Sequence, residues 1–201
     1  MNALQSLYAT TIGKKAVMAV TGAIIFGFTI GHMAGNLLVF LGPDAINGYA
    51  ATLKETAPLL WGTRLTLLAV IPLHIWSAVS LVSAARAARP ASYKMQKPQA
   101  TTYAARTMKY GGFILLAFIL FHIAHYTLLL VTPEFSEMVD AQGRHDVYRM
   151  VVTGFSNPAV VGFYLLAMGS LGLHLSHGAW SMLQSLGLSH PKYNQARKTF
   201  A

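Results

Sequence analysis

Six histidines, His32, His74, His122, His125, His174 and His177, lie well inside long apolar stretches that hold no acidic residue. An imidazole buried in hydrocarbon without a partner costs several kcal/mol, roughly, so rings placed there must hydrogen-bond or bind something. Imidazole is a ligand for transition metals and for the axial positions of a planar iron macrocycle. Four separate stretches each carry at least one such ring. Two bis-imidazole pairs would satisfy one ring per stretch and coordinate two iron porphyrins. The spacings His122-x-x-His125 and His174-x-x-His177 place each second ring near the face of the first on a helix, which also permits a transition-metal site. Carboxylates, which a divalent-ion pathway would be expected to use beside imidazole, are absent from these stretches.

Small residues accompany the rings. Gly27, Gly31 and Gly35 recur every four residues beside His32, a stripe that suits close helix packing and equally a flat macrocycle lying against the backbone. Thr29 and Ser170 precede His32 and His174 by three and four residues, and Ser77 follows His74 by three. Each is placed to meet the second ring nitrogen of its histidine.

The elements that must position these groups are membrane helices. Hydrophobic residues make up 54% of the 201, charged residues only 10%, and the mean hydropathy is +0.48, values outside the range of a soluble domain. With no cysteine, a disulfide framework, iron–sulfur ligation, thiolate zinc and covalent haem attachment are excluded. The net charge of +9 does not point to nucleic acid, because the lysines and arginines flank the apolar runs and form no basic face. The expected fold is an all-α transmembrane helix bundle. A single integral membrane domain over residues 1–201 has spans at about residues 16–41, 61–85, 105–131 and 157–186. The first is too long for a signal-peptide core. The outer segment Thr132 to Phe155 is expected to hold a short amphipathic helix around Tyr148–Val152.

Sorting the connecting segments alternately by side separates the charges. Lys14, Lys15, Arg86, Arg89, Lys94, Lys97, Arg106, Lys109, Lys192, Arg197 and Lys198 fall on one side, with no acid. All six acids, Asp44, Glu55, Glu134, Glu137, Asp140 and Asp146, fall on the other, with Lys54, Arg64, Arg144 and Arg149. The positive side is expected in the cytoplasm, and with it the N-terminus. Counted from that side, His32 and His122 lie about 17 residues into their spans, and His74 and His174 about 11 and 12. Equal depth pairs His32 with His122 and His74 with His174.

The runs Ile12-Gly-Lys-Lys-Ala-Val-Met-Ala-Val-Thr-Gly22, Gly31-His-Met-Ala-Gly-Asn-Leu37, Leu73-His-Ile-Trp-Ser-Ala-Val-Ser-Leu81, Gly154-Phe-Ser-Asn-Pro158, His174-Leu-Ser-His-Gly-Ala-Trp-Ser181 and Leu186-Gly-Leu-Ser-His-Pro191 carry a resemblance. They resemble the cytochrome b membrane-anchor subunit of bacterial succinate:quinone oxidoreductases, in its single-chain, di-haem form. The resemblance runs through nearly the whole chain and places the histidines in the family's order. It implies two non-covalent haem b groups with His32, His74, His122 and His174 as iron axial ligands, and a quinone, menaquinone by expectation, as substrate. It further implies an iron–sulfur subunit and a flavoprotein subunit as partners, the latter holding the dicarboxylate chemistry, and a place in the bacterial cytoplasmic membrane. This chain itself would be the quinone-reactive subunit of that oxidoreductase, with no catalytic residue of its own for the dicarboxylate. The family usually has a fifth span, and four are expected here. His125 and His177 are not the ligands the family uses.

Further expectations attach to the interfaces. Arg64 lies ten residues before His74, about 15 Å outward, and can pair with a propionate of the outer haem. Quinone reduction needs protons from an ionisable group; Asp44, Glu55 and Arg64 are candidates outside, where Tyr49 and Trp61 can pack a quinone ring, and His177, Arg86 and Lys109 are candidates inside. The basic segment Arg86 to Lys109 is expected to dock the iron–sulfur subunit. The rival reading is a transporter or channel in which the histidines bind a metal ion or relay protons.

Overall fold

The computed structural model describes residues 8–89, 91 and 101–200, with the side chains at 197, 198 and 200 excepted. Lys94 and Lys97 lie outside the described residues, as do the side chains of Arg197 and Lys198. Helix accounts for 83% of the structure, and the described residues contain no strand, only an isolated bridge between Val139 and His145. The protein is an all-α membrane helix bundle. Four helices among the described residues are long and apolar enough to cross a bilayer.

Helix α1 runs Thr11–Asn36, α2 Pro43–Glu55, α3 Ala57–Ala87, α4 Tyr103–Tyr126, α5 Val147–Gly154, α6 Pro158–Ser185 and α7 Asn194–Phe200. The spans are α1, extended to Leu41 by a 3-10 turn, with α3, α4 and α6. Only 6–11% of the residues in their most apolar stretches are buried within the chain. Side chains such as Phe113, Leu68 and Leu165 stay exposed, an apolar surface that only hydrocarbon or another protein can cover.

The boundaries follow local chemistry. Gly42 adopts φ 98°, which a side chain would strain, and Pro43 then starts α2 with its fixed φ and no N–H to satisfy. Asp44 in the first turn and Lys54 in the last complement the helix dipole. α4 stops at Tyr126, five residues before the expected 131, because Leu129 turns to φ 55° and the Leu128 and Leu130 amides fold back to the carbonyls of Ile123 and Ala124. Asp146 caps α5 by accepting the Arg149 amide at 3.0 Å.

The chain forms two compact units. The first comprises Met1–Phe28, Leu65–Thr107 and Leu175–Ala201. Thr21 of α1, Ser77 of α3 and Ala179 of α6 are buried there, and the Tyr8 phenol meets the Ser77 hydroxyl at 3.2 Å. The second comprises Thr29–Arg64 and Met108–His174. Its core has an apolar part, Ile46, Phe135, Met150 and Ala167, and a polar clamp between α2 and the segment before α5. In that clamp the fully buried Asn47 amide donates to Asp140 at 3.2 Å and Asp146 at 3.0 Å, and its oxygen accepts the Tyr148 amide at 2.9 Å. Arg144 pairs with Asp140 at 2.7 Å and with Asp44 at 2.9 Å.

Candidate cofactor site

In the second unit α1 and α4 bring His32 and His122 together, with ring centroids 5.7 Å apart and planes at 85°. One iron with two axial imidazoles separates ring centroids by roughly 6 Å, since metal–nitrogen bonds are about 2 Å and each centroid lies about 1 Å further on. The separation fits. Asn36, one turn along α1, sets its amide 3.4 Å from His32 Nε2; an amide nitrogen only donates, so the Nε2 lone pair faces Asn36, and binding a metal there would displace this contact. The Tyr164 hydroxyl of α6 lies 3.0 Å from His122 Nδ1, and Phe118 stacks on the His122 ring at 5.6 Å.

The glycine stripe divides between its two expected roles. A Cβ on Gly27 or Gly31 would meet nothing within 4 Å, whereas one on Gly35 would strike the Tyr49 ring at 2.7 Å. Gly35 therefore serves packing, and Gly27 and Gly31 leave bare backbone beside His32. That surface suits a flat group.

In the first unit His74 of α3 sits against α1. Its Nδ1 lies 3.2 Å from the Met18 carbonyl and 3.1 Å from the Thr21 hydroxyl, and a Cβ on Gly22 would approach its ring to 3.3 Å. A carbonyl only accepts, so Nδ1 carries the proton and Nε2 the lone pair a metal needs. The hydroxyl expected beside His74 was that of Ser77; Ser77 instead faces Tyr8, and Thr21 takes the role. His174, the last residue of the second unit, lies half-buried on α6, one turn after the buried Ser170.

The two alternate histidines have other surroundings. His177 Nε2 is 3.1 Å from the Ser181 hydroxyl of its own helix. His125 is 1% exposed, wedged among Phe121, Tyr126 and Phe135, and its Nδ1 has no hydrogen-bond partner among the described residues. Among the interface candidates, Arg64 stands 5.1 Å over the Trp61 ring, Asp44 is held by Arg144, and Glu55 is exposed at the end of α2. The described residues contain no group of three or more His, Cys, Asp or Glu side chains able to hold a metal ion. A macrocyclic iron needs only two from the protein.

Tyr164 and Thr21 went unread in the sequence because their partners lie 42 and 53 residues away on other helices. Only a hydroxyl inside an apolar span hinted at them. Compared with protein-family models, curated proteins and solved structures, the chain matches none. What fold and site define is a class: a multi-pass, all-α membrane protein with imidazoles paired inside its spans.

Proposed function

We propose that the chain is a haem b-containing membrane anchor that passes electrons between an iron–sulfur subunit and membrane quinone in a succinate:quinone oxidoreductase. The approach of the His32 and His122 rings to 5.7 Å carries this reading, because it brings two polar rings from different helices together inside apolar spans at a separation close to that of two imidazoles on one iron. The Nδ1–H of His74, the bare backbone at Gly27 and Gly31, and the sequence resemblance support it. His32 with His122 would hold the outer haem. His74 with His174 would hold the inner one, a pairing that rests on their depth along the helices.

When bound, haem supplies one-electron redox chemistry. The chain's own residues orient the imidazoles, exclude water from the span and neutralise charge at its edge. Arg64 is the candidate partner for a propionate, and the basic segment from Arg86 to Lys109 for the iron–sulfur subunit, with the flavoprotein beyond it. The excess of lysine and arginine on one side supports a cytoplasmic N-terminus in a bacterial cytoplasmic membrane. A histidine-lined ion pathway is less well supported, since the spans lack carboxylates and the described residues lack a three-ligand cluster.

The test is the reduced-minus-oxidised spectrum of the chain purified from membranes with its partner subunits. A b-type spectrum with two haems per chain, reduced by succinate and reoxidised by quinone, is expected. A colourless protein would refute the proposal.

A further inference from the structure

The Nδ1 atoms of His74 and His122 each meet a hydroxyl from another helix. For His74 the neighbouring groups imply where the proton sits. Thr21 Oγ1 lies 2.8 Å from the Val17 carbonyl and 3.1 Å from that of Met18, so its proton is engaged on its own helix and a lone pair faces the ring. The Met18 carbonyl, 3.2 Å from the same Nδ1, also only accepts. His74 therefore donates to both. For His122, ligation of a metal through Nε2 leaves the proton on Nδ1, and the Tyr164 oxygen at 3.0 Å accepts it.

We propose that Tyr164 and Thr21 are positioning residues, each fixing the tautomer and ring angle of one axial histidine and setting the redox potential of that haem alone. The inference rests on the proposed function. An imidazole whose N–H is held by an acceptor donates more electron density to its metal, which favours the ferric state and lowers the potential. Removing the acceptor raises it. The two sites differ in reserve. His74 keeps the Met18 carbonyl when the Thr21 hydroxyl is lost, whereas Tyr164 is the one hydrogen-bond partner of His122 Nδ1 among the described residues. The Tyr164 change should have the larger effect.

The experiment is a redox titration of both haems in the assembled complex, with the ferric low-spin electron paramagnetic resonance signals recorded beside it. Tyr164→Phe keeps the ring in its contacts with Phe118 and Phe155, so packing is retained. It should raise the potential of one haem, shift that haem's resonance and leave the other unmoved. Thr21→Val should raise the other haem's potential by a smaller amount, and Thr21→Ser, which keeps the hydroxyl, should restore it. Tyr126→Phe is the control, because the Tyr126 hydroxyl has no hydrogen-bond partner among the described residues; it should move neither. Unchanged potentials in both Tyr164→Phe and Thr21→Val, or both haems moving together in either, would overturn the inference and leave the haem reading intact. Absence of haem from the unaltered complex would overturn both.

Discussion

The Asn47 amide donates to the Asp146 carboxylate at 3.0 Å across 99 residues of sequence, and Asp146 in turn caps the helix that begins one residue later. This contact joins α2 to α5. Because Asn47 is fully buried and uses both its amide hydrogens and its oxygen, no solvent replaces the bonds when the side chain is cut back. Asn47→Ala should therefore cost about 1–3 kcal/mol and lower the thermal unfolding midpoint in detergent. An unchanged midpoint would show that the clamp adds nothing to stability.

The same clamp should weaken on acidification. Burial pushes the Asp140 carboxyl up, but its bonds from Arg144, Asn47 and the Gln142 amide outweigh that and hold it below 3.8. Burial also lowers His145 from 6.5, helped by the Lys54 cation and opposed by Asp146. The sign is the same for both groups. Each has a depressed folded value, so the unfolded segment binds more protons, and the stabilisation is complete only above the ordinary value. For His145 it is lost as pH falls below 6.5, and for Asp140 as pH falls below 3.8. Limited proteolysis of the segment from Thr132 to Phe155 should accelerate between pH 7.5 and pH 5, and His145→Gln should flatten that change. A proteolysis rate equal at the two values, after correction for the protease, would contradict it.

A Cβ on Gly154 would overlap the Tyr126 hydroxyl and lie 3.2 Å from His125 Cε1. Gly154→Ala should destabilise the protein by about 1–3 kcal/mol through overpacking. Tyr126→Phe removes the overlapping atom and, since that hydroxyl has no partner among the described residues, should cost little alone. In a double-mutant cycle the pair should recover part of the loss. Strict additivity would place the strain elsewhere.

The four spans were legible because about 20 apolar residues in a row have few alternatives to crossing a bilayer, and the short helix near Tyr148–Val152 was legible from its apolar spacing. Their ends were less so. α1 begins at Thr11, before Lys14 and Lys15, since a helix need not stop where the hydrocarbon does. α4 ends early at a left-handed leucine that no sequence signal marks. Helix α2 carries start and stop signals in Pro43, Asp44 and Lys54, but at 13 residues it is too short and too polar to stand out as an apolar run. The histidines were legible one by one as polar groups in the wrong solvent. Their partners were not, because Thr21, Met18 and Tyr164 reach them across helices, where spacing along one helix carries no information.

Loss of individual haems in single-histidine variants tests the central claim most directly. His32→Ala and His122→Ala should each remove the same component of the reduced-minus-oxidised spectrum and leave the other. His74→Ala and His174→Ala should give the complementary loss, and His177→Ala, whose ring is met by Ser181, should keep both. His125→Phe should keep both as well, with no fall in stability, since it replaces a buried nitrogen that lacks a partner. Retention of both components in His32→Ala and His122→Ala, or loss of one in His125→Phe or His177→Ala, would contradict the account.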